Sequence, residues 1–209
     1  MALLLYVQAS PRIGRSHSIA VADAFVDAYR QSHPSDHVKT LNVFRAKIPA
    51  FDGPALQAKY DILHGRSKDP DTVRAWGQVE KVIAQFKSAD KYVLAVPMWN
   101  FGIPYRLKHY LDVIIQPGYT FTVTEKGYQG LVKDRPAMLI YARGGRYQPG
   151  SGTEAYDLQS SYLELALRFM GFERIQTIFV EPTLADGRAA AEAAQQQAMA
   201  KARQLAVDF

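Results

Sequence analysis

Continuous apolar runs alternate along the chain with segments in which apolar residues recur every three or four positions. The uninterrupted runs at residues 3–7 and 92–96 are typical of strands that are buried on both faces of a parallel sheet. Three more strands are predicted at residues 37–44, 137–142 and 174–180, the first with the alternation of an edge strand. Helical spacing predicts helices at residues 19–29, 53–67, 72–86, 106–115, 153–170 and 186–207.

This order of elements predicts an α/β protein with a doubly wound five-stranded parallel sheet and helices on both faces. Residues 119–133 depart from the order, because apolar and polar positions alternate there and glycines mark turns. We therefore expect a single domain over residues 1–209 with a hairpin-like insertion at about 119–133. Ligands of such sheets bind at the carboxyl ends of the strands, which directs attention to the loops at residues 8–18, 97–105 and 142–153.

Composition limits the possible functions. The 209 residues are 48% hydrophobic and include no cysteine, which excludes disulfides and thiol redox centres and favours a cytoplasmic location. No segment approaches the roughly 18 consecutive apolar residues that a membrane span needs. The formal charge of +5 comes from scattered basic residues without a nucleic-acid-binding motif, so an anionic ligand explains it better than nucleic acid. No metal is expected, because no histidine spacing typical of a metal site occurs.

The first loop combines hydroxyl groups with positive charge. Ser10, Ser16 and Ser18 lie there with Arg12 and Arg15, between the first strand and the first helix. Hydroxyls and free N–H groups at a helix start are suited to binding a phosphate group. A serine that merely caps the helix is the common alternative, but three serines beside an arginine favour phosphate binding. Neither a G-x-G-x-x-G fingerprint nor the GK[ST] of a P-loop is present.

The other two loops are suited to a planar ring. The second loop, at residues 97–104, is poor in helix and strand formers and could cover the face of a ring with Trp99 and Phe101. The third loop, at residues 142–147, has paired glycines that permit close approach of the backbone. Its two arginines are expected to stabilise negative charge on a reduced ring. For either loop taken alone, an ordinary turn is the alternative.

Taken together, these loops resemble the bacterial FMN-dependent NADH-azoreductase family, which belongs with the NAD(P)H quinone reductases. The similarity runs in order along essentially the whole chain. It rests on Ser10, residues 16–18, 97–101 and 142–145, Leu107, Lys108, Tyr110 and Asp112, and parts of 120–132 and 162–172.

The resemblance implies a flavodoxin-like homodimer with one FMN per subunit. It also implies ping-pong hydride transfer from NADH or NADPH to FMN, and then to quinones, giving quinols, or to azo compounds, which are cleaved to amines. The chemistry takes place on FMN, so no catalytic side chain is assigned. Two alternatives stay open: a flavodoxin-type electron carrier, and an FMN reductase without its own organic acceptor. The basic charge and the 119–133 segment argue against a carrier.

The resemblance also assigns residues to the site. The phosphate is assigned to Ser10, Arg12, Ser16, His17 and Ser18. The ring is assigned to residues of the second and third loops, namely Pro97, Met98, Trp99, Asn100, Phe101, Ala142, Arg143, Gly144 and Gly145. The wall of the substrate pocket, partly supplied across the dimer, is assigned to Phe121, Tyr128 and Tyr162.

Overall fold

The computed structural model describes residues 1–63, 65 and 69–209. One parallel sheet contains β1 (Leu3–Gln8), β2 (His37–Asn42), β3 (Lys91–Pro97), β6 (Ala137–Ala142) and β7 (Ile175–Val180). Strands β4 (Phe121–Thr124) and β5 (Gly127–Gly130) form a separate antiparallel hairpin. The helices are α1 (His17–Ser32), α2 (Gly53–Leu63), α3 (Pro70–Lys87), α4 (Tyr105–Ile114), α5 (Leu158–Met170) and α6 (Gly187–Ala206). Short 3-10 turns cover Ile13–Arg15 and Glu154–Tyr156.

The strands lie in the order β2-β1-β3-β6-β7, and every neighbouring pair is parallel. The chain passes from β1 outward to β2 and then returns, so that β3 pairs with the opposite side of β1. The strand order therefore reverses between β1 and β3, which is where sheets of this kind bind ligands, outside the carboxyl ends of the strands. The prediction of a doubly wound five-stranded parallel sheet is confirmed.

Both faces of the sheet are covered by helices, which explains the uninterrupted apolar strands. Leu139 and Tyr141 of β6 pack into a core that includes residues of α3, α4 and α5. Met138 and Ile140, on the opposite face, pack with residues of α1 and α6. Successive strand positions thus enter two different cores, and both sets must be apolar. Among the helices of the described residues, none has the length and apolar character that a bilayer crossing requires.

The prediction of one helix over residues 153–170 is wrong in its first turn. A 3-10 turn occupies Glu154–Tyr156, and α5 begins only at Leu158. Between them, Asp157 has a non-helical backbone, and its side chain accepts a hydrogen bond of 2.9 Å from the Ser160 N–H. An aspartate that caps a helix in this way separates it from the preceding turn. The second predicted helix extends to residues 64 and 66–68, which lie outside the described residues.

Two carboxylates hold the first strand at the amino edge of the sheet. Asp36 accepts hydrogen bonds from the Tyr29 hydroxyl and the Ala2 N–H, both at 2.6 Å. These two bonds lower the pKa of Asp36 below its ordinary value of 3.8. Asp90 accepts a hydrogen bond of 2.9 Å from the Leu3 N–H, which likewise lowers the pKa of Asp90.

The fold should lose stability in acid because of these carboxylates. A carboxyl group whose pKa is lower in the folded chain stabilises the fold above its ordinary pKa, and this contribution is lost as the pH falls through the folded pKa. We expect the free energy of unfolding to decrease from about pH 5 to pH 3, and Asp36→Asn to make that decrease shallower. Urea denaturation at a series of pH values measures how steeply the free energy of unfolding depends on pH in the original chain and in the variant. Asp27→Asn, which removes an exposed carboxylate of α1, is the control; an Asp36→Asn slope as steep as that of the control would contradict the prediction.

Candidate functional site

The loop after β1 carries three buried serines and leads into α1. Ser10, Ser16 and Ser18 are all buried. Ser16 occupies the N-cap position of α1, but its side chain does not cap the helix, and its Oγ lies 3.2 Å from Ser18 Oγ. The main-chain N–H groups of residues 17–19 have no hydrogen-bond partner among the described residues. Hydroxyls and unpaired N–H groups therefore meet at the start of α1, as in sites that bind phosphate.

Positive side chains and a histidine flank this loop. Arg12 and Arg15 are exposed. His17 Nδ1 lies 2.5 Å from Oε1 of Gln195 on α6, and in the described part of the chain the other ring nitrogen makes no hydrogen bond. Gln195 was not a predicted site residue, because a sequence separation of 178 from His17 gives no local signal of the contact.

The loop after β3 forms a strained turn. Trp99 and Gly102 exchange two main-chain hydrogen bonds of 3.0 Å, and Asn100 and Phe101 between them have φ angles of 47° and 69°. A residue with a side chain in this left-handed region costs on the order of 1 kcal/mol or more, and such strain is concentrated at functional sites. The turn leaves 38% of Trp99 and 47% of Phe101 exposed.

The second and third loops lie side by side. The Met98 N–H donates to the Ala142 carbonyl at 2.8 Å, which continues the pairing of β3 with β6. Gly144 and Gly145 follow, and their N–H groups have no hydrogen-bond partner in the described part of the chain. A Cβ on Gly144 would lie 3.2 Å from Leu184 Cδ1, so the Leu184 side chain packs closely against this loop.

The Arg143 side chain is directed into the protein. It is 1% exposed, and its guanidinium pairs with Asp157 at 2.6 Å and with Glu181 at 3.4 Å. Its main chain is also engaged, because the N–H donates to the Val180 carbonyl and the carbonyl accepts from Thr183. Contrary to expectation, the structure does not place this guanidinium where it could stabilise charge on a ring by direct contact.

Aromatic residues outside the predicted site surround the exposed turn. The ring of Tyr156 packs against Phe101 with centroids 5.4 Å apart. The ring of Phe44 lies 5.6 Å from Trp99, and Tyr105 at the start of α4 contacts both. Tyr156 was missed because it fell inside a predicted helix, and Phe44 because it was assigned to the edge strand, which in fact ends at residue 42.

The three residues predicted for the substrate wall fall into two groups. Phe121 and Tyr128, on the hairpin, pack against Phe169 of α5 with centroids 4.6 Å and 5.3 Å away. Tyr162 instead lies beside Lys108 of α4, and burial raises the pKa of the Tyr162 hydroxyl. No ring contact joins the two groups within the described residues of one chain.

Comparison with known proteins identifies the family. A family described by its flavodoxin-like fold matches residues 3–206. Over 209 residues, the chain is 50% identical to the FMN-dependent NADH:quinone oxidoreductase of Nitratidesulfovibrio vulgaris strain DP4, with 100% of each chain covered. It is 46% identical over 187 residues to the Desulfotalea psychrophila protein of the same name, with 89% of this chain and 88% of the relative covered. The chain belongs to this flavodoxin-like family.

A solved structure shows the same arrangement of elements. It is the FMN-dependent NADH-azoreductase from Bacillus anthracis strain Ames Ancestor in complex with FMN, which matches this chain at a TM-score of 0.87 and 28% identity. The match covers 99% of this chain and 100% of that one. The resemblance found in the loops is confirmed by these relatives.

In this member of the flavodoxin-like family, two glycines fix the hairpin to α5. A Cβ on Gly130 would lie 2.3 Å from the Gly171 nitrogen and 2.4 Å from its Cα. Beside this contact, the Val132 N–H donates to the Met170 carbonyl at 2.8 Å. The backbones approach so closely that only glycine fits at position 130, and the position of Phe121 depends on it.

Gly130→Ala should therefore displace the hairpin. Overpacking of this kind costs about 1–3 kcal/mol, which for a chain of this size lowers Tm by roughly 5 °C. Thermal unfolding followed by circular dichroism measures the effect. Gly77→Ala in α3 is the matched control, because its Cβ would meet nothing within 4 Å and alanine is the better helix former. Equal Tm values for the two variants would show that the contact does not hold the hairpin.

Proposed function

We propose that this chain is an FMN-dependent oxidoreductase that uses NADH or NADPH to reduce quinones to quinols and to cleave azo compounds to amines. Its relatives are named FMN-dependent NADH:quinone oxidoreductase and FMN-dependent NADH-azoreductase. One observation carries the proposal: two different surfaces lie at the carboxyl ends of the adjacent strands β1 and β3. The first offers unpaired hydroxyl and N–H donors, and the second an exposed aromatic turn.

The residues of the first surface fit the phosphate of FMN. The Ser16 and Ser18 hydroxyls bond only to each other among the described residues. If this bond is exchanged for bonds to a ligand, both hydroxyls can donate to phosphate oxygens. The start of α1 adds N–H groups and the positive end of the helix dipole. Arg12 and Arg15 add positive charge on the same loop, and Nε2 of His17 has no hydrogen-bond partner among the described residues.

The residues of the second surface fit a flat ring with a polar edge. The N–H groups of Asn100 and Phe101 have no partner within the described residues, so the turn can donate to ring oxygen and nitrogen atoms. Gly144 and Gly145 offer N–H groups from the neighbouring loop. FMN, when bound, supplies the two-electron chemistry that connects the nicotinamide donor with the acceptor. The other residues assigned to the FMN site lie on or beside the same three loops: Ser10, Pro97, Met98, Trp99 and Ala142.

The chain itself positions the acceptor. Phe101 and Tyr156 can hold a planar quinone or azo compound by stacking, since their rings are exposed and already in contact. The turn residues Trp99, Asn100 and Phe101 carry no acidic group, so the protons that the product gains come from water. The exposed turn offers one surface, which donor and acceptor use in succession, and this supports ping-pong kinetics.

A second copy of the chain is proposed to complete the site as a homodimer. Each subunit is a single domain over residues 1–209, with 119–133 an insertion on it. Large apolar side chains are exposed on the hairpin and along α4 and α5, where a partner would cover them: Val123, Tyr128, Leu131, Tyr105, Leu158 and Leu165. Such a partner would also bring its own aromatic residues to the acceptor. The lack of cysteine agrees with a cytoplasmic location.

The visible spectrum of the purified protein tests the proposed function. A yellow protein should bleach on anaerobic addition of NADH and regain its colour on addition of a benzoquinone, because each half-reaction changes the flavin absorbance. A protein that stays colourless after FMN is added would refute the proposal. A yellow protein that NADH does not bleach would be an electron carrier, and one that releases its flavin during turnover would be an FMN reductase.

The double variant Ser16→Ala, Ser18→Ala tests the phosphate assignment. Two hydrogen bonds to a charged phosphate would be lost, so we expect FMN affinity to fall about a hundredfold. Fluorescence titration of the apoprotein with FMN measures the dissociation constant. Ser88→Ala, at the opposite edge of the sheet just before β3, should keep the original affinity. Unchanged affinity in the double variant would place the phosphate elsewhere.

A further inference from the structure

A buried network, here called the Arg143 network, lies beneath the second and third loops. It consists of the Arg143 guanidinium and three residues that accept its hydrogen bonds. Nε donates to Gln159 Oε1 at 3.0 Å, Nη2 to Asp157 Oδ2 at 2.6 Å and Nη1 to Glu181 Oε2 at 3.4 Å. The ring of Phe179 covers the guanidinium, with its centroid 4.3 Å from Cζ. One charged side chain at the end of β6 thus connects α5 with the end of β7.

One arm of the network leads to the loop after β3. Gln159 is fully buried, and its Nε2 donates to the Val96 carbonyl at 2.9 Å. Val96 is followed by Pro97 and the strained turn that carries Trp99 and Phe101. The direction in which this turn leaves the sheet therefore depends on a side chain that Arg143 holds in place.

The other arm leads to the loop after β6 and to the turn before α5. Glu181 accepts from the Tyr147 N–H at 3.3 Å, at the end of the loop that contains Gly144 and Gly145. Asp157 directly follows Tyr156, whose ring packs on Phe101. Arg143 is thereby connected to both loops that would flank a ring and to the aromatic residue above one of them.

Stability alone does not explain such a network. Burying a guanidinium with two carboxylates carries a large desolvation penalty, and well-packed apolar side chains often stabilise a core as much or more. What a fully bonded polar network does provide is a single geometry, because the planar fork of arginine accepts only one arrangement of its partners.

We infer that Arg143 is a positioning residue, which fixes the two ring-flanking loops through Gln159 and Glu181 without contacting the ring. The inference rests on the proposed function, since it concerns how the site receives FMN. It replaces the direct role that the sequence suggested for this side chain.

Gln159→Met tests the first arm, because methionine keeps the length and volume of the side chain and removes both hydrogen bonds. We expect FMN affinity to fall roughly tenfold, the loss that follows if the displaced turn fails to form one hydrogen bond to the ring. The absorption maxima of bound flavin should also shift, because the turn would meet the ring differently. Glu181→Gln tests the second arm with a smaller change in shape and should shift the same two readouts in the same direction.

Leu167→Ala is the control, because Leu167 is buried on α5 two turns beyond Gln159 and outside the network. It should lower Tm and leave the affinity and the flavin spectrum unchanged. Gln159→Met with the original affinity and spectrum would overturn the positioning role, even if its Tm falls. If that variant does not fold, Glu181→Gln decides by the same criterion. An original chain that binds no FMN would overturn the proposed function as well, which separates the two failures.

Discussion

A parallel sheet has no face that can be left to solvent, and this constraint determines where the other parts of the chain lie. Crossover helices must cover both faces, so successive residues of β6 enter different cores, Leu139 on one side and Ile140 on the other. The loops at the strand ends are then the segments left free to bind ligands. The strand order reverses between β1 and β3, and the loops at that point carry the residues proposed to bind FMN. Burial of the strands and location of the site have the same origin.

The sheet could be predicted because burial on both faces leaves a strong local signal. The apolar runs at 3–7 and 92–96 fall inside β1 and β3, and the order of strands and helices then gives the fold class. The start of α5 could not be predicted in the same way, because helical spacing continues through Asp157. Its main-chain N–H closes the 3-10 turn on the Glu154 carbonyl, and its side chain caps α5. Because this break was not predicted, Tyr156 was assigned to a helix, and its contact with Phe101 was not predicted either.

Arg143 shows which part of the site a local pattern cannot supply. Because alternate strand residues share a face, Arg143 is expected on the same face as Leu139 and Tyr141, which α3, α4 and α5 cover. The strand pattern therefore predicts in part which way the Arg143 side chain points. Its partners were not, since Asp157 and Glu181 lie 14 and 38 positions away. Burying a guanidinium without partners costs much free energy, so a sequence that does not reveal the partners predicts an exposed Arg143 side chain. Pairings over long sequence distances therefore decide how the loops are held, whereas the proposal of which loops bind a ligand rests on residue types alone.

The two edges of the sheet differ in how their donors are satisfied. At the amino edge, the N–H groups of Ala2 and Leu3 are bound by Asp36 and Asp90, which fixes the ends of the strands. At the carboxyl edge, the N–H groups at 17–19, 100–101 and 144–145 have no partner among the described residues. Water can satisfy such donors at little cost, and an anionic ligand that replaces the water forms stronger, charge-assisted bonds. Because the amino edge and the two cores hold the strands independently, the carboxyl edge can carry both unpaired donors and a strained turn without unfolding the chain. The same division agrees with the proposal that FMN binds at the carboxyl edge of the sheet.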